Sequence, residues 1–319
     1  TTEIYTLSLH DALPIFVCLI ANFCLLLYGC STSNKQSLPE GVSINNGEPQ
    51  IRVFNTSTNK TQEMNLEDYV AGVVAGEVYN TWNDEALKTQ CVLSRTFALK
   101  YAKDNPESYH ERGIPTSIAD AQSYDEDTVN DKIKNAVKAT KGQVITYNNE
   151  LIDAYFHSNS GGETTSTKIG FSNRDSEPAY IKPTTSPETA SNSKNYSWSY
   201  TFSKGEVLSA LSKMGVTVAT LSSAALGEKS TGGFYATIML GGKEVSANTL
   251  RKNLGTTKMK STKLTSVKIS GNNVILSGLG YGHGVGVSQW GAQILASEGK
   301  TYTEILNNYF NGIKIKTVS

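Results

Sequence analysis

From Gly278 to Gly291 the chain reads Gly-Leu-Gly-Tyr-Gly-His-Gly-Val-Gly-Val-Ser-Gln-Trp-Gly, with glycine at every second position as far as Gly286. Alternating glycines predict an extended segment with one face bare of side chains. Another backbone or a ligand can then approach closely while His283, Ser288 and Gln289 project beside it. A dinucleotide fingerprint, G-x-G-x-x-G, is excluded because the motif begun at Gly280 and Gly282 has Val285 in its last place. A P-loop is excluded because no Gly-Lys-Ser/Thr follows. Two uses remain open, a tightly packed strand and one wall of a ligand cleft.

The 319 residues suffice for one large domain or two of ordinary size. Lys plus Arg and Asp plus Glu are both 29, so no basic field points to nucleic acid and no acidic excess points to disorder. Three of the four cysteines, Cys18, Cys24 and Cys30, precede residue 31, leaving Cys91 alone in the body and no disulfide framework there. The apolar run over 14–30 has the length of a signal h-region. Leu27-Tyr-Gly-Cys30 resembles a lipobox, which makes Cys30 a candidate lipid anchor beside the alternatives of a retained or ordinarily cleaved signal. Residues 1–15 lack a basic n-region and resemble translated sequencing adapter, so His10 is discounted. The expected organisation is a leader over 1–30, a Ser, Asn, Gly and Pro-rich linker over 31–50, and a folded domain over 51–319.

Asn65 followed by Leu66, Val70, Val73 and Glu77 at helical spacing predicts a capped helix with Glu77 on its apolar stripe. Burial there raises a carboxyl pKa and suits it to donate a proton near neutral pH. The competing reading is a buried ion pair with Lys88 or Arg95. Those two cations share a stripe with Cys91 and Leu99 on a second helix, over 83–102 and capped by Asn83. Trp82 reads as an anchor for the start of that helix or as a sugar-stacking ring. A short helix over 129–140 leads to a hairpin of strands 143–147 and 151–157 about Asn148-Asn149. Residues 171–195 read as an irregular crossing segment. A strand over 198–202, a helix over 204–214 and further strands lead to Gly278, and two helices close the chain, the last with a capping box from Thr301 to Glu304. The pattern predicts an α+β fold, a single compact domain of helices and short, mostly antiparallel strands around a substrate cleft.

A serine hydrolase would need a G-x-S-x-G elbow, which is absent. Zinc would have to draw on His110, His157, His283, Cys91 and acids, none at paired ligand spacing. Phe156-His-Ser-Asn-Ser-Gly-Gly offers polar groups, His157 first, just after a strand.

Five blocks in order resemble the stage II sporulation protein D family: 66–77, 85–98, 156–162, 282–292 and 302–312. The resemblance implies a lytic transglycosylase that cuts between N-acetylmuramic acid and N-acetylglucosamine in peptidoglycan strands stripped of stem peptides, leaving 1,6-anhydro ends. It implies Glu77 as catalytic acid and functional roles for the basic residues Lys88 and Arg95. His157, Tyr180, His283, Ser288 and Gln289 are then candidate substrate contacts. It further implies a partner cell-wall amidase, a membrane protein of the engulfment machinery, and an extracytoplasmic, membrane-anchored location on the mother-cell side. Glu188 stands only roughly where the family carries an acid after the tyrosine matching Tyr180. Some members bind zinc through cysteine and histidine; here Cys91 stands where alanine is usual, so no cofactor is expected, with His157 keeping zinc open. The reading from another class is a non-catalytic peptidoglycan-binding activator of an amidase, and a third is a glycosidase leaving reducing ends.

Overall fold

The computed structural model describes residues 34–117, 121–171 and 176–318, so the expected leader and its anchor Cys30 lie outside the described residues. From Gln36 onward the chain forms one unit. Strands β1 (Ser43–Asn45), β2 (Glu48–Asn55) and β3 (Lys60–Asn65) make an antiparallel meander. Residues 43–50, expected in the linker, are thus in part a hairpin. Asn46 and Gly47 both take positive φ, 50° and 78°, which suits a tight turn between strands.

Asn65 ends β3 and caps α1 (Leu66–Glu77), its Oδ1 accepting the Glu67 N–H at 2.8 Å. Asn83 caps α2 (Asp84–Asp104) in the same way at 3.0 Å. Beyond α2 come α3 (Pro106–Glu111), β4 (Ile114–Pro115), which pairs parallel with β2, and α4 (Asp131–Ala139). The predicted hairpin forms between β5 (Gln143–Tyr147) and β6 (Glu150–Leu151) about Asn148 and Asn149. Its second strand is shorter than expected. Residues 156–157 form a separate strand, β7 (Phe156–His157), which leaves the hairpin altogether.

After α5 (Thr167–Gly170) the chain builds a second layer from β8 (Ser197–Ser203), α6 (Lys204–Lys213), β9 (Ala224–Leu226), β10 (Thr237–Leu240), β11 (Lys243–Ser246), α7 (Ala247–Leu254), β12 (Leu264–Ser270) and β13 (Asn273–Leu279). Its sheets, β9–β10–β11 and β12–β13–β8, are antiparallel. Strand β14 (Val287–Ser288) then pairs parallel with β7, setting Ser288 opposite His157. Helices α8 (Gln289–Ser297) and α9 (Tyr302–Tyr309), the latter with its predicted Thr301–Glu304 capping box, precede β15 (Lys314–Val318), which is antiparallel to β5.

Two hydrophobic clusters result. The first gathers Val70, Val73, Leu87, Val92, Leu99, Ile145 and Ile305 around α2, which touches α1, α4, β5, α8 and α9. The second gathers Phe202, Leu211, Ile238, Leu250 and Leu276 between α6, α7 and the two later sheets. The expected α+β mixture of helices and short, mostly antiparallel strands is what forms. Among the described residues no helix is long and apolar enough to cross a membrane.

Candidate active site

Leu66, Val70 and Val73 of the α1 stripe are buried, and Glu77 continues it at the helix end, half-buried. Two glycines a turn apart on α1 decide its surroundings. A Cβ at Gly72 would stand 2.4 Å from the Tyr124 ring, and one at Gly76 2.9 Å from the backbone of Ser123 and Tyr124. Their bareness lets residues 121–125 cross directly over the helix, pinned by Asp125 N–H donating to the Gly72 carbonyl at 2.9 Å. The crossing delivers the Ser123 N–H to Glu77 Oε1 at 2.6 Å. Gln289 Nε2 donates to the other oxygen at 3.4 Å and to Gln90 Oε1 at 3.3 Å. Burial raises the Glu77 pKa, and the two donors oppose that without cancelling it. Tyr69, stacked 5.9 Å from Tyr124, holds a buried hydroxyl with no hydrogen-bond partner among the described residues, pushed up by burial and then by Glu77.

The glycine-rich segment is not extended. Gly280, Gly282, Gly284 and Gly286 take φ of 74°, 125°, 79° and 69°, a backbone region that only glycine enters readily. Each bare position faces protein: a Cβ would meet Asn159 O at 2.5 Å, His157 Cβ at 2.5 Å, the Phe234 ring at 2.3 Å and Tyr155 O at 2.1 Å in turn. The close approach is therefore to the protein's own backbone and rings, and the packed alternative prevails over a bare ligand wall.

That packing fixes the neighbouring candidates. Ser288 caps α8 through Gly291 N–H at 3.3 Å and donates its hydroxyl to Glu188 Oε1. Glu188 Oε1 also accepts the Ser160 N–H at 2.9 Å and hydroxyl at 2.8 Å. Burial by itself would raise this carboxyl, but the hydroxyls of Ser186 and Ser288 and the Ser160 N–H outweigh it and hold Glu188 below the usual carboxylate range. His157 Nδ1 contacts Val285 O at 3.1 Å, while its buried Nε2 has no hydrogen-bond partner among the described residues. Burial depresses its pKa to about 4. His283 accepts the Val285 N–H on Nδ1 at 3.1 Å and lies 5.5 Å from the His157 ring and 4.7 Å from Phe171. Burial first and His157 second keep it neutral. Tyr180 uses its hydroxyl on Asp153, accepting the N–H at 3.0 Å and donating to Oδ2 at 3.4 Å.

The ion pair weighed for Glu77 does not form. Lys88 pairs with Glu85 at 2.6 Å, whose other oxygen accepts the Tyr302 N–H at the start of α9. Arg95 is fully buried and grips Glu67 with two hydrogen bonds, 2.9 Å from Nε and 2.5 Å from Nη2, while Nη1 donates to the Gln143 carbonyl. Of the predicted site residues, the fold thus brings Gln289 to Glu77, sets Ser288 and His157 by Glu188 with His283 beside His157, and engages Lys88, Arg95 and Tyr180 elsewhere.

Trp82 is buried as a helix anchor, edge-on to Trp290 with centroids 5.1 Å apart. The open ring here is Tyr79, unmarked by periodicity because it lies just past the end of α1. Ser123 was equally invisible, since its contribution is a backbone N–H. Its one trace is the Gly72/Gly76 spacing on an otherwise apolar helix. Cys91 is buried within the first cluster, its thiol pushed up to about 12 chiefly by burial. Among the described residues no three His, Cys, Asp or Glu side chains converge as a metal site.

A carboxylate made reluctant to ionise thus stands at the end of α1, flanked by the Ser123 N–H and the Gln289 amide. Residues 54–147 match the family described as Stage II sporulation protein. Stage II sporulation protein D of Bacillus subtilis (strain 168) is 31% identical over 283 residues, covering 83% of this chain and 78% of that protein. Its counterpart in Bacillus amyloliquefaciens is also 31% identical, over 281 residues, with 83% and 78% covered. An amidase enhancer of Bacillus subtilis is 29% identical over 295 residues, covering 76% of this chain and 39% of that protein. The chain belongs to the stage II sporulation protein D family.

Proposed function

We propose that this protein is a lytic transglycosylase that cuts the N-acetylmuramic acid to N-acetylglucosamine bond of peptide-free glycan strands during sporulation. The observation that carries the reading is the raised pKa of Glu77 under burial, with Ser123 N–H and Gln289 orienting its two oxygens. Protonated Glu77 gives its proton to the glycosidic oxygen as the C1–O bond breaks. The muramyl C6 hydroxyl then closes on C1, forming the anhydro ring, and its proton returns to the Glu77 carboxylate. Hydrolysis would call on a second carboxylate to activate water or attack the sugar. Glu188, with Oε1 occupied by Ser160 and Ser288, is a poor candidate for that duty.

On this reading His283 and Gln289 line the cleft, with the buried Ser288 and His157 behind them, and Lys88, Arg95 and Tyr180 support it from the surrounding frame. The catalytic domain spans 51–319, carried outside the cytoplasm on an N-terminal anchor that includes Cys30, on the mother-cell side of the engulfing membrane. It works beside a cell-wall amidase and a membrane protein, without a cofactor.

The likeness to an amidase enhancer favours a second reading, a glycan-binding activator of an amidase without chemistry of its own. Product analysis separates them. Peptide-free strands incubated with the protein are expected to yield anhydro-muramyl ends by mass spectrometry, and none with Glu77→Ala. Reducing ends would indicate a hydrolase. Intact strands, with amidase stimulation preserved in Glu77→Ala, would establish the second reading.

A further inference from the structure

Tyr79 and Lys194 take no part in the chemistry assigned to Glu77, yet they stand at its door. Tyr79 follows Glu77 by two residues and is 50% exposed; with Ile44 it is a large hydrophobic side chain left open to solvent. Its ring is braced rather than loose, 5.8 Å from Trp82 and 6.2 Å from Trp290. Lys194 Nζ lies over that ring, 5.1 Å from the centroid.

The lysine's backbone is fixed as well. Its carbonyl accepts Asn159 Nδ2 at 3.0 Å, and Asn159 is bonded both ways to Tyr281 of the glycine loop. Next in the chain, Asn195 takes a positive φ of 58° and accepts Lys260 Nζ on Oδ1 at 2.8 Å. Lys260 in turn lies over the Tyr281 ring at 5.3 Å. Two cations therefore border the site, and neither has a carboxylate partner among the described residues.

An aromatic ring with one open face takes the C–H face of a pyranose, and an ammonium beside it takes an anionic substituent of that sugar. A cation–ring contact at an exposed site is weak, so an arriving carboxylate displaces the ammonium readily. In muramic acid that substituent is the lactyl group. Joined to a stem peptide its carboxyl is a neutral amide; freed of the peptide it is a carboxylate.

We propose that Tyr79 and Lys194 form a subsite for a muramic acid residue, Tyr79 stacking on the sugar and Lys194 binding its free lactyl carboxylate. The chain then reads removal of the stem peptide as a gained negative charge. The inference rests on the peptide-free glycan reading above.

The test compares two probes: peptide-free strands with free lactyl carboxylates, and the same strands with those groups converted to methylamides. Binding is read by tryptophan fluorescence from Trp82 and Trp290, and cleavage by product formation. The wild type is expected to favour the free acid by about fivefold in binding and in KM, a preference that shrinks with added salt and disappears in Lys194→Gln. Tyr79→Ala is expected to weaken both probes. Equal handling of both probes by the wild type, or a preference that survives in Lys194→Gln, overturns the subsite. Discrimination in binding without any cleavage would keep the subsite and overturn the transglycosylase reading; anhydro products without discrimination would do the reverse. Both side chains are exposed, and unchanged melting temperatures confirm that the variants fold.

Discussion

At Glu77 three influences compete. Burial favours the neutral acid, and the Ser123 N–H and the Gln289 amide favour the carboxylate, with burial prevailing. Gln289→Ala removes one donor to the charged form, so the pKa rises further and the alkaline limb of the pH–rate profile moves to higher pH; a limb moving down would contradict the assignment. Glu77→Gln is expected to lower glycan turnover by roughly a hundredfold to ten-thousandfold with little loss of melting temperature, since it removes no buried ion pair. Arg95 behaves differently. Its guanidinium is buried against Glu67 and the Gln143 carbonyl, so Arg95→Met removes the cation paired with Glu67, leaving that carboxylate only the Gly142 N–H, and removes a donor to the carbonyl. We expect a cost of about 3–5 kcal/mol in chemical denaturation and a similar direction for Glu67→Gln. Wild-type stability in Arg95→Met combined with weakened glycan binding would instead place Arg95 against substrate.

At the scale of elements, α1 serves as a floor for residues 121–125 only because Gly72 and Gly76 are bare. Gly76→Ala puts a methyl group 2.9 Å from the backbone of Ser123 and Tyr124, which cannot retreat without moving the N–H that holds Glu77. The expected result is a loss of about 1–3 kcal/mol of stability and a disproportionate loss of turnover, read by thermal melts and product formation together. The capped helices α1 and α2, the Asn148-Asn149 hairpin and the Thr301 capping box were legible in the sequence, because caps and turns are set by residues adjacent in the chain. The partners were not. Periodicity places Arg95 on a face of α2 without saying that Glu67 waits across from it, and it cannot foresee a backbone N–H arriving from residue 123. The glycine run misled for a related reason. Alternation suggests an extended strand, whereas four positive φ angles fold it into turns packed on Asn159, His157, Phe234 and Tyr155.

Across the whole molecule, the parallel pair β7–β14 fastens the first cluster to the loop that leaves the second, and it buries His157 beside Glu188 in the seam. His157 titrates at about 4 when folded against 6.5 when free, so below 6.5 the unfolded chain binds the extra proton. The stability this group contributes is therefore present above about pH 6.5 and is lost as pH falls below it. Glu188, depressed when folded, loses its contribution in the same direction at lower pH. Melting temperatures taken between about pH 7.5 and pH 5 should fall more steeply for the wild type than for His157→Gln; equal slopes would remove His157 from the account. In the proposed reaction, one carboxylate works with a nucleophile that the substrate brings. The most direct measurement of that claim is cleavage of peptide-free strands in water enriched in heavy oxygen, with mass analysis of the new muramyl ends. Transglycosylation leaves new ends that carry no solvent oxygen and that vanish in Glu77→Gln. A heavy oxygen at each new end would show that water, and not the sugar's own hydroxyl, completes the reaction.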